Sequence, residues 1–306
     1  MNRRELLFAV GALITSPAWG GTRRYAVLYP DVPEPEREVI RVIREGIATT
    51  LRRDGGTLSE QAVSPGTSPH IAAAAIADLH PDALITLGQT ATALAREIHP
   101  AIPWLSGVTE LPVPTPGVGG ISLIVNPDRF VSTLAEVAPR ISRIAVVLNP
   151  ARFGWMRTAL ERAAHSQLKT LTVFTADSIS EAATQYLNIV RYGNPKTDSL
   201  WLLEQGQFVN QDTLPRMIEE AWATEFLVFS SVLNHVNEGS LFALYLNPAT
   251  LGERLGRLAL GAQSHAAPIT FDDAPGRAIN LRTAGHLSSI VEVTSAKRFD
   301  LIVGEQ

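Results

Sequence analysis

Gly88, Gln89 and Thr90 are the residues whose types and spacing first suggest chemistry. They close a short apolar run at residues 83–87 and open a Thr/Ala-rich stretch, "TATALA", with no charge before Arg96. A helix that starts here leaves backbone N–H groups and the positive end of its dipole exposed, and such a start ordinarily takes an acidic or capping side chain. Only Gln89, Thr90 and Thr92 are at hand. Either Thr90 is a plain cap in a tight turn, or the N–H groups are left free for something that is not protein. Bond-making chemistry has no comparable feature. The histidines at 70, 80, 99, 165, 235, 265 and 286 are scattered without a ligand spacing, so no metal is expected. No G-x-S-x-G elbow surrounds the serines at 230 and 231, and there is no Walker loop. "GVGG" at 117–120 is not a dinucleotide fingerprint. No paired acids stand out, and no catalytic residue or cofactor is expected.

The elements that must position the turn follow from composition and pattern. With 306 residues the chain suffices for one large domain or two of ordinary size. Hydrophobic residues make up 45% and charged ones 18%, which predicts a buried core and excludes general disorder. A net charge of -4, with no basic run beyond short pairs, argues against nucleic acid as a partner. The absence of cysteine excludes thiolate zinc sites, thiol catalysis and disulfides.

At the N-terminus, Asn2, Arg3 and Arg4 precede an uncharged, mostly apolar stretch at 6–14 that is too short to span a bilayer. Pro17 and the small residues Ala18 and Gly20 follow. This is the layout of a secretory signal peptide at 1–20, cleaved after Gly20, and it predicts a periplasmic location. The alternative, an amphipathic first helix, lacks a polar face. No later segment is long and apolar enough to be a transmembrane helix.

The remaining chain alternates. Strands are predicted at 25–29, 58–63, 83–87, 104–108, 144–148, 170–174, 200–203 and 226–229, with helices at 36–53, 69–79, 153–166, 179–190 and 213–223. The first helix carries Val39, Ile40, Ile43, Ile47 and Leu51 on one face. "ELPVPTPGVGG" at 110–120 has the composition of a linker. "YAVLYP" at 25–30 and "IAVVLNP" at 144–150 each begin a series of strand–helix units. The predicted class is α/β, with two doubly wound parallel-sheet lobes. Open parallel sheets bind ligands at the C-terminal ends of their strands.

Several pieces, in order, resemble the ABC-transporter substrate-binding family of tryptophan- and tyrosine-type solute receptors, which has the type I periplasmic-binding fold. They are "PDALITLGQTATALARE", "IPWLSGVTELP", "GVGGIS", "IAVVLNP", "DSLWLLEQGQFVNQDTLPRMIEEA", "FLVFSSVLNHVNEGSLFALYLNPATLGERLGRLALG" and "GRAINLRTAGHL". They span nearly the whole chain after residue 20. Two departures stand where the resemblance puts the ligand. Phe153, Gly154 and Trp155 occupy places where a small polar residue is usual, and Glu204-Gln205-Gly206-Gln207 replaces a segment that usually offers an aspartate.

The resemblance implies two hinged lobes, with lobe 1 at 21–121 plus 240–266 and lobe 2 at 122–239 plus 267–306, and crossings near 119–122, 238–246 and 267–271. It implies that the turn at Gly88, Gln89 and Thr90 faces the cleft, where the N–H groups of Thr90 and Ala91 and the Thr90 hydroxyl hold an acceptor group of a solute. The expected ligand-contacting set is completed by Tyr29, Asp31, Thr109, Asn149, Phe153, Trp155, Gln205, Ser230 and Tyr245. For Trp155, cleft and core both stay open. The expected protein is a monomer that passes a small organic solute to an ABC permease. Alternatives are a sensing subunit for a membrane receptor kinase, and an enzyme on a two-lobed scaffold.

Overall fold

A computed structural model describes residues 22–203, 208–262 and 268–304. The expected signal segment and Gln205 lie outside the described residues. The first series runs β1 (Arg24–Pro30), α1 (Glu36–Arg53), β2 (Thr57–Val63), α2 (Pro69–Leu79), β3 (Ala83–Leu87), α3 (Gly88–Ile98), β4 (Trp104–Gly107) and β5 (Gly119–Val125). The second runs α4 (Pro127–Val137), β6 (Arg143–Leu148), α5 (Pro150–Phe153), α6 (Arg157–Ser166), β7 (Thr170–Thr175), α7 (Ile179–Tyr192), β8 (Asp198–Leu202), α8 (Thr213–Ala223), β9 (Leu227–Ser230), α9 (Asn234–Glu238) and β10 (Phe242–Tyr245). The chain ends with α10 (Pro248–Gly261), β11 (Ile269–Asp272), β12 (Gly276–Asn280), α11 (Leu281–His286) and β13 (Leu301–Val303). Among the described residues no helix is long and apolar enough to cross a membrane.

Two sheets result, with strand orders β11-β5-β4-β3-β1-β2 and β13-β12-β10-β9-β8-β6-β7. Pairing in the first is parallel throughout, and in the second only β10 and β12 run antiparallel. The apolar face of α1 buries Ile40, Ile43, Ile47 and Leu51 against β1, β3 and Leu251 and Leu255 of α10. The two helices approach so closely that a Cβ on Gly252 would lie 2.3 Å from the Ile43 carbonyl oxygen. Val39, predicted on the same face, is exposed. The second lobe is built on stacked rings: Trp201 sits 4.5 Å from Phe130 and 5.5 Å from Phe229, which stacks in turn on Phe242 at 4.8 Å.

Sheet membership moves the crossings later in the chain than expected. The Pro/Gly-rich stretch is a loop within the first lobe, and Gly119 and Gly120 begin β5, a full strand between β4 and β11. Gly120 has φ +125, and a Cβ there would lie 2.0 Å from the Ser106 carbonyl oxygen, so the glycine serves a close strand pairing and not a linker. The first crossing therefore follows Val125. The segment at 240–246, expected in lobe 1, supplies β10 to the second sheet because it pairs with β9 and β12. The segment at 268–272, expected in lobe 2, supplies β11 to the first sheet because it pairs with β5. The predicted helix at 153–166 is also divided. Asn149 caps an earlier start at Pro150, and a 3-10 turn at Gly154–Met156 separates α5 from α6.

The crossings are tied together. The Asn126 N–H donates to the Asp272 carbonyl at 2.8 Å, and the Asn126 amide donates to the Asp273 carboxylate at 2.6 Å. Asp272 is buried, accepts from the Ala274 N–H at 3.1 Å and pairs with Arg254 of α10. Desolvation still holds its carboxyl above the ordinary value despite the guanidinium. Removing one member of a buried pair strands the other. Arg254→Met is therefore expected to cost about 3 kcal/mol at neutral pH. Because the folded state takes up the Asp272 proton before the unfolded one, that loss should shrink as pH falls from neutral toward the ordinary carboxylate range. Urea denaturation at several pH values checks both points; a loss independent of pH contradicts the assignment.

Candidate functional site

The crossings leave from the C-terminal ends of β5 and β10, so the C-terminal edges of the two sheets are the neighbouring ones. On the first lobe this edge carries the ends of β1, β3 and β4. Gly88, at φ +78, turns the chain from β3 into α3, and a Cβ there would stand 3.3 Å from Pro30. The residue before α3 is Leu87, no side chain caps the helix, and its first turn has no acid. Thr90 is half-buried and Ala91 is fully buried. Thr92 belongs to a buried hydroxyl chain, 3.1 Å from the Thr86 hydroxyl and 2.8 Å from that of Ser106. Gln89 is exposed, and its carbonyl oxygen accepts from the buried Thr109 hydroxyl at 3.2 Å. The Tyr29 ring lies under the Arg44 guanidinium at 4.0 Å, and Arg44 pairs with Glu60 at 2.8 Å. Asp31 is exposed beside Arg37 at 4.0 Å.

On the second lobe the polar groups are engaged internally. Asn149 accepts from the N–H groups of Ala151 and Arg152 at 3.0 and 3.1 Å. The Ser230 oxygen accepts from the Val232 N–H at 3.0 Å, which leaves its proton for His235 Nδ1 at 2.7 Å. Burial drives the His235 pKa down to about 4, so the imidazole is neutral and able to accept. Tyr245 packs its ring so tightly over Gly276 that a Cβ there would lie 2.5 Å from it, and burial raises its phenol pKa. Phe153 is in the lobe's core.

Among the described residues, contacts that span the lobes include a ring stack and an ion pair. Trp155, half-buried, stacks on Phe271 of the first sheet at 6.2 Å with an interplanar angle of 11°. Arg152 donates to the Glu110 carboxylate at 2.6 Å. Beside them lies a cavity of about 60 Å³ bounded by Glu110, Ile124, Phe153, Met156, Ser231 and Leu246. A larger groove of about 470 Å³ runs beside Ala145, Thr172, Phe174 and Tyr192, on the flank of the second lobe and near the start of β6 and β8. Among the described residues no cluster of acidic, histidine or cysteine side chains could hold a metal ion.

No protein-family model and no curated protein matches this sequence. Solved structures do. The ligand-free, open structure of a substrate binding protein with adhesive properties from Clostridium difficile superposes with a TM-score of 0.67 at 17% identity, covering 93% of this chain and 100% of that one. An ABC domain in complex with L-Trp from Streptococcus pneumonia gives 0.57 at 16% identity, over 92% and 100% of the two chains. A periplasmic ribose ABC transporter protein from Conexibacter woesei gives 0.57 at 10% identity, over 90% and 94%. The chain has the type I periplasmic-binding fold.

Within the type I periplasmic-binding fold, most of the described residues expected to contact a solute fall into two groups, while Tyr29 and Asp31 face Arg44 and Arg37 of their own lobe. Gly88, Gln89, Thr90, Ala91 and Thr109 come together on one rim, joined by the Gln89–Thr109 hydrogen bond. Asn149 and Ser230 instead use their side chains to hold their own lobe, Phe153 fills its core, and Tyr245 packs over Gly276. Trp155 meets the opposite lobe. Sequence reasoning passed over Glu110 and Arg152, which are 42 residues apart. The available signal was a charged side chain near two of the candidates: Glu110 directly after Thr109, and Arg152 three residues after Asn149.

The burial of His235 carries a pH dependence. An unfolded imidazole binds its proton near the ordinary value of 6.5, whereas the folded one does so only near 4. The stabilisation is complete above 6.5 and is lost as pH falls toward 4. The full window is worth about 3 kcal/mol. His235→Gln should flatten that part of the stability–pH curve, measured by chemical denaturation between pH 7 and 4; an unchanged slope would rule the buried imidazole out as its source.

Proposed function

We propose that this chain is an exported solute-binding protein that closes its two lobes on a small organic ligand and delivers it to an ABC permease. The observation that supports this reading most is the start of α3: uncapped, free of acid, and set at the sheet edge that faces the other lobe. A helix N-terminus of that kind offers N–H groups and a positive dipole end to a carboxylate or similar acceptor. The Thr90 hydroxyl adds a donor, while the Ala91 side chain packs in the core behind the turn. Contacts made to both lobes exist only when they meet, so a ligand shifts the population toward the closed form.

Native mass spectrometry of protein purified from its host identifies the solute. With that solute, Thr90→Val should weaken binding by about 1.5–3 kcal/mol, the worth of one hydrogen bond to a charged group, while leaving the melting temperature in place. Unchanged affinity in calorimetry with lowered stability would make Thr90 purely structural. The export half of the proposal has its own measurement. Periplasmic material should begin at Gly21 on N-terminal sequencing, and retention of Met1 would contradict it.

A further inference from the structure

The second sheet ends on β7, and among the described residues β7 pairs with β6 alone. An edge strand offers a row of unpaired N–H and C=O groups, and edges are ordinarily guarded by a charge, a proline, a bulge or short length. The other sheet edges follow that rule. β2 carries Glu60, and β13 has only three residues. β11 has four residues, a register shift between Thr270 and Asp272, and Pro268 before it. β7, "TLTVFT", has none of these guards. Its ladder with β6 runs unbroken from Thr170 to Thr175. The adjoining cation, Lys169, is turned inward: its side chain is buried and its ammonium donates to the Ile141 carbonyl.

The surroundings of this edge are apolar as well. Leu171 and Val173 lie on the face packed against α6, and Phe174 lies on the face of α7. On the α7 side the groove of about 470 Å³ leaves the sheet open at Ala145, Thr172 and Phe174. Leu168, just before the strand, is 91% exposed, and Tyr192, at the rim of the groove, is 83% exposed.

The strand is complementary to its own reverse. Side chains directly opposite in an antiparallel pair share a face of the sheet. Centring the pair on Thr172 keeps the faces matched: Thr172 meets its own copy, Leu171 meets Val173, and Thr170 meets Phe174. Pairs of β-branched, aliphatic and aromatic residues of this kind are the unit of sheet stabilisation. The ends match too. Exposed His165 and Gln167 precede the strand, and exposed Asp177 and Glu181 follow it. Reversal therefore brings the imidazole and amide of one copy to the carboxylates of the other, at both ends. Parallel pairing of two copies would set like ends together and would not close on itself. Since β7 points its C-terminal end toward the edge that meets the first lobe, reversal also places the two clefts at opposite ends, away from the contact.

We propose that this chain forms a two-fold dimer through β7, joining two seven-stranded sheets into one continuous sheet with Thr172 on the axis. The dimer takes the place of the monomer expected from the sequence, and it does not depend on what the cleft binds.

Sedimentation equilibrium of the purified protein over a concentration series should show the mass of two chains at the upper end and dissociation on dilution. Thr172 is exposed, so Thr172→Lys should leave the circular dichroism spectrum unchanged. Two ammonium groups set opposite each other should weaken association roughly tenfold or more. Crosslinking tests the register without relying on that variant. The chain has no cysteine, and residues directly opposite in an antiparallel pair are within reach of a disulfide. Thr172→Cys should oxidise to a covalent dimer, whereas Thr170→Cys, on the same face but two places from the axis, should not. A single-chain mass at every concentration, association unaffected by Thr172→Lys, or equal crosslinking at both positions overturns the proposal. Assembly beyond two copies, or a covalent adduct of Thr172→Cys with a different host protein in place of its own copy, overturns it as well.

Discussion

The parallel pairing of β5 with β11 is the constraint on which the rest of the structure depends. Thr270 and Gly120 are 150 residues apart in the chain, yet they lie side by side, and both strands then leave the first sheet for the second lobe. The tail of β5 belongs to two cores at once: Ile121 packs in the first lobe, while Ile124 and Val125 pack with the second. Where the strands end, the Asn126–Asp272 backbone bond and the buried Arg254–Asp272 pair clamp the crossings together. Arg254 comes from α10, which is pressed against α1, so the clamp is anchored in the body of the first lobe. The chain passes between the lobes in a few residues between Val125 and Pro127, Tyr245 and Pro248, and Asp272 and Gly276.

That clamp brings together two rims of different character. On the second rim the polar candidates serve their own lobe: Asn149 caps α5, and Ser230 bonds with Val232 and His235. The first rim is different. Its helix α3 starts on Leu87 without a cap, while the hydroxyls of Thr86, Thr92 and Ser106 bind the helix firmly to β3 and β4 from beneath. Under the proposed function, firm support beneath a helix start without a side-chain cap would lower the ordering cost of binding. Among the described residues, the contacts that cross between the rims include a partly exposed ion pair and a partly exposed aromatic stack, each of modest strength.

Much of the fold was legible in the sequence because it is written in local periods. The apolar stripe of α1, the five-residue run of β3 and the two strands ending in proline each follow from nearest-neighbour chemistry, and their alternation leads to parallel sheets. The turn at Gly88 was legible for the same reason, since a left-handed glycine between a strand and a helix leaves a local mark. β5 and β10 were harder. Two glycines and a run of prolines read as a linker, and only the presence of Ser106 across the sheet explains why Gly120 must lack a side chain.

The sequence by itself determined the alternating elements, the absence of thiol chemistry and the acid-free start of α3, because these depend on residues close together in the chain. The tertiary structure alone decided which sheet receives β10 and β11, which candidates spend their polar atoms internally, and that Glu110 meets Arg152. Those outcomes depend on groups brought together across the fold: His235 beneath Ser230, Phe271 beneath Trp155, and a guanidinium from one lobe facing a carboxylate of the other. A charge carries no mark of its partner along the chain, since ion pairing depends on distance in space and not on position in sequence.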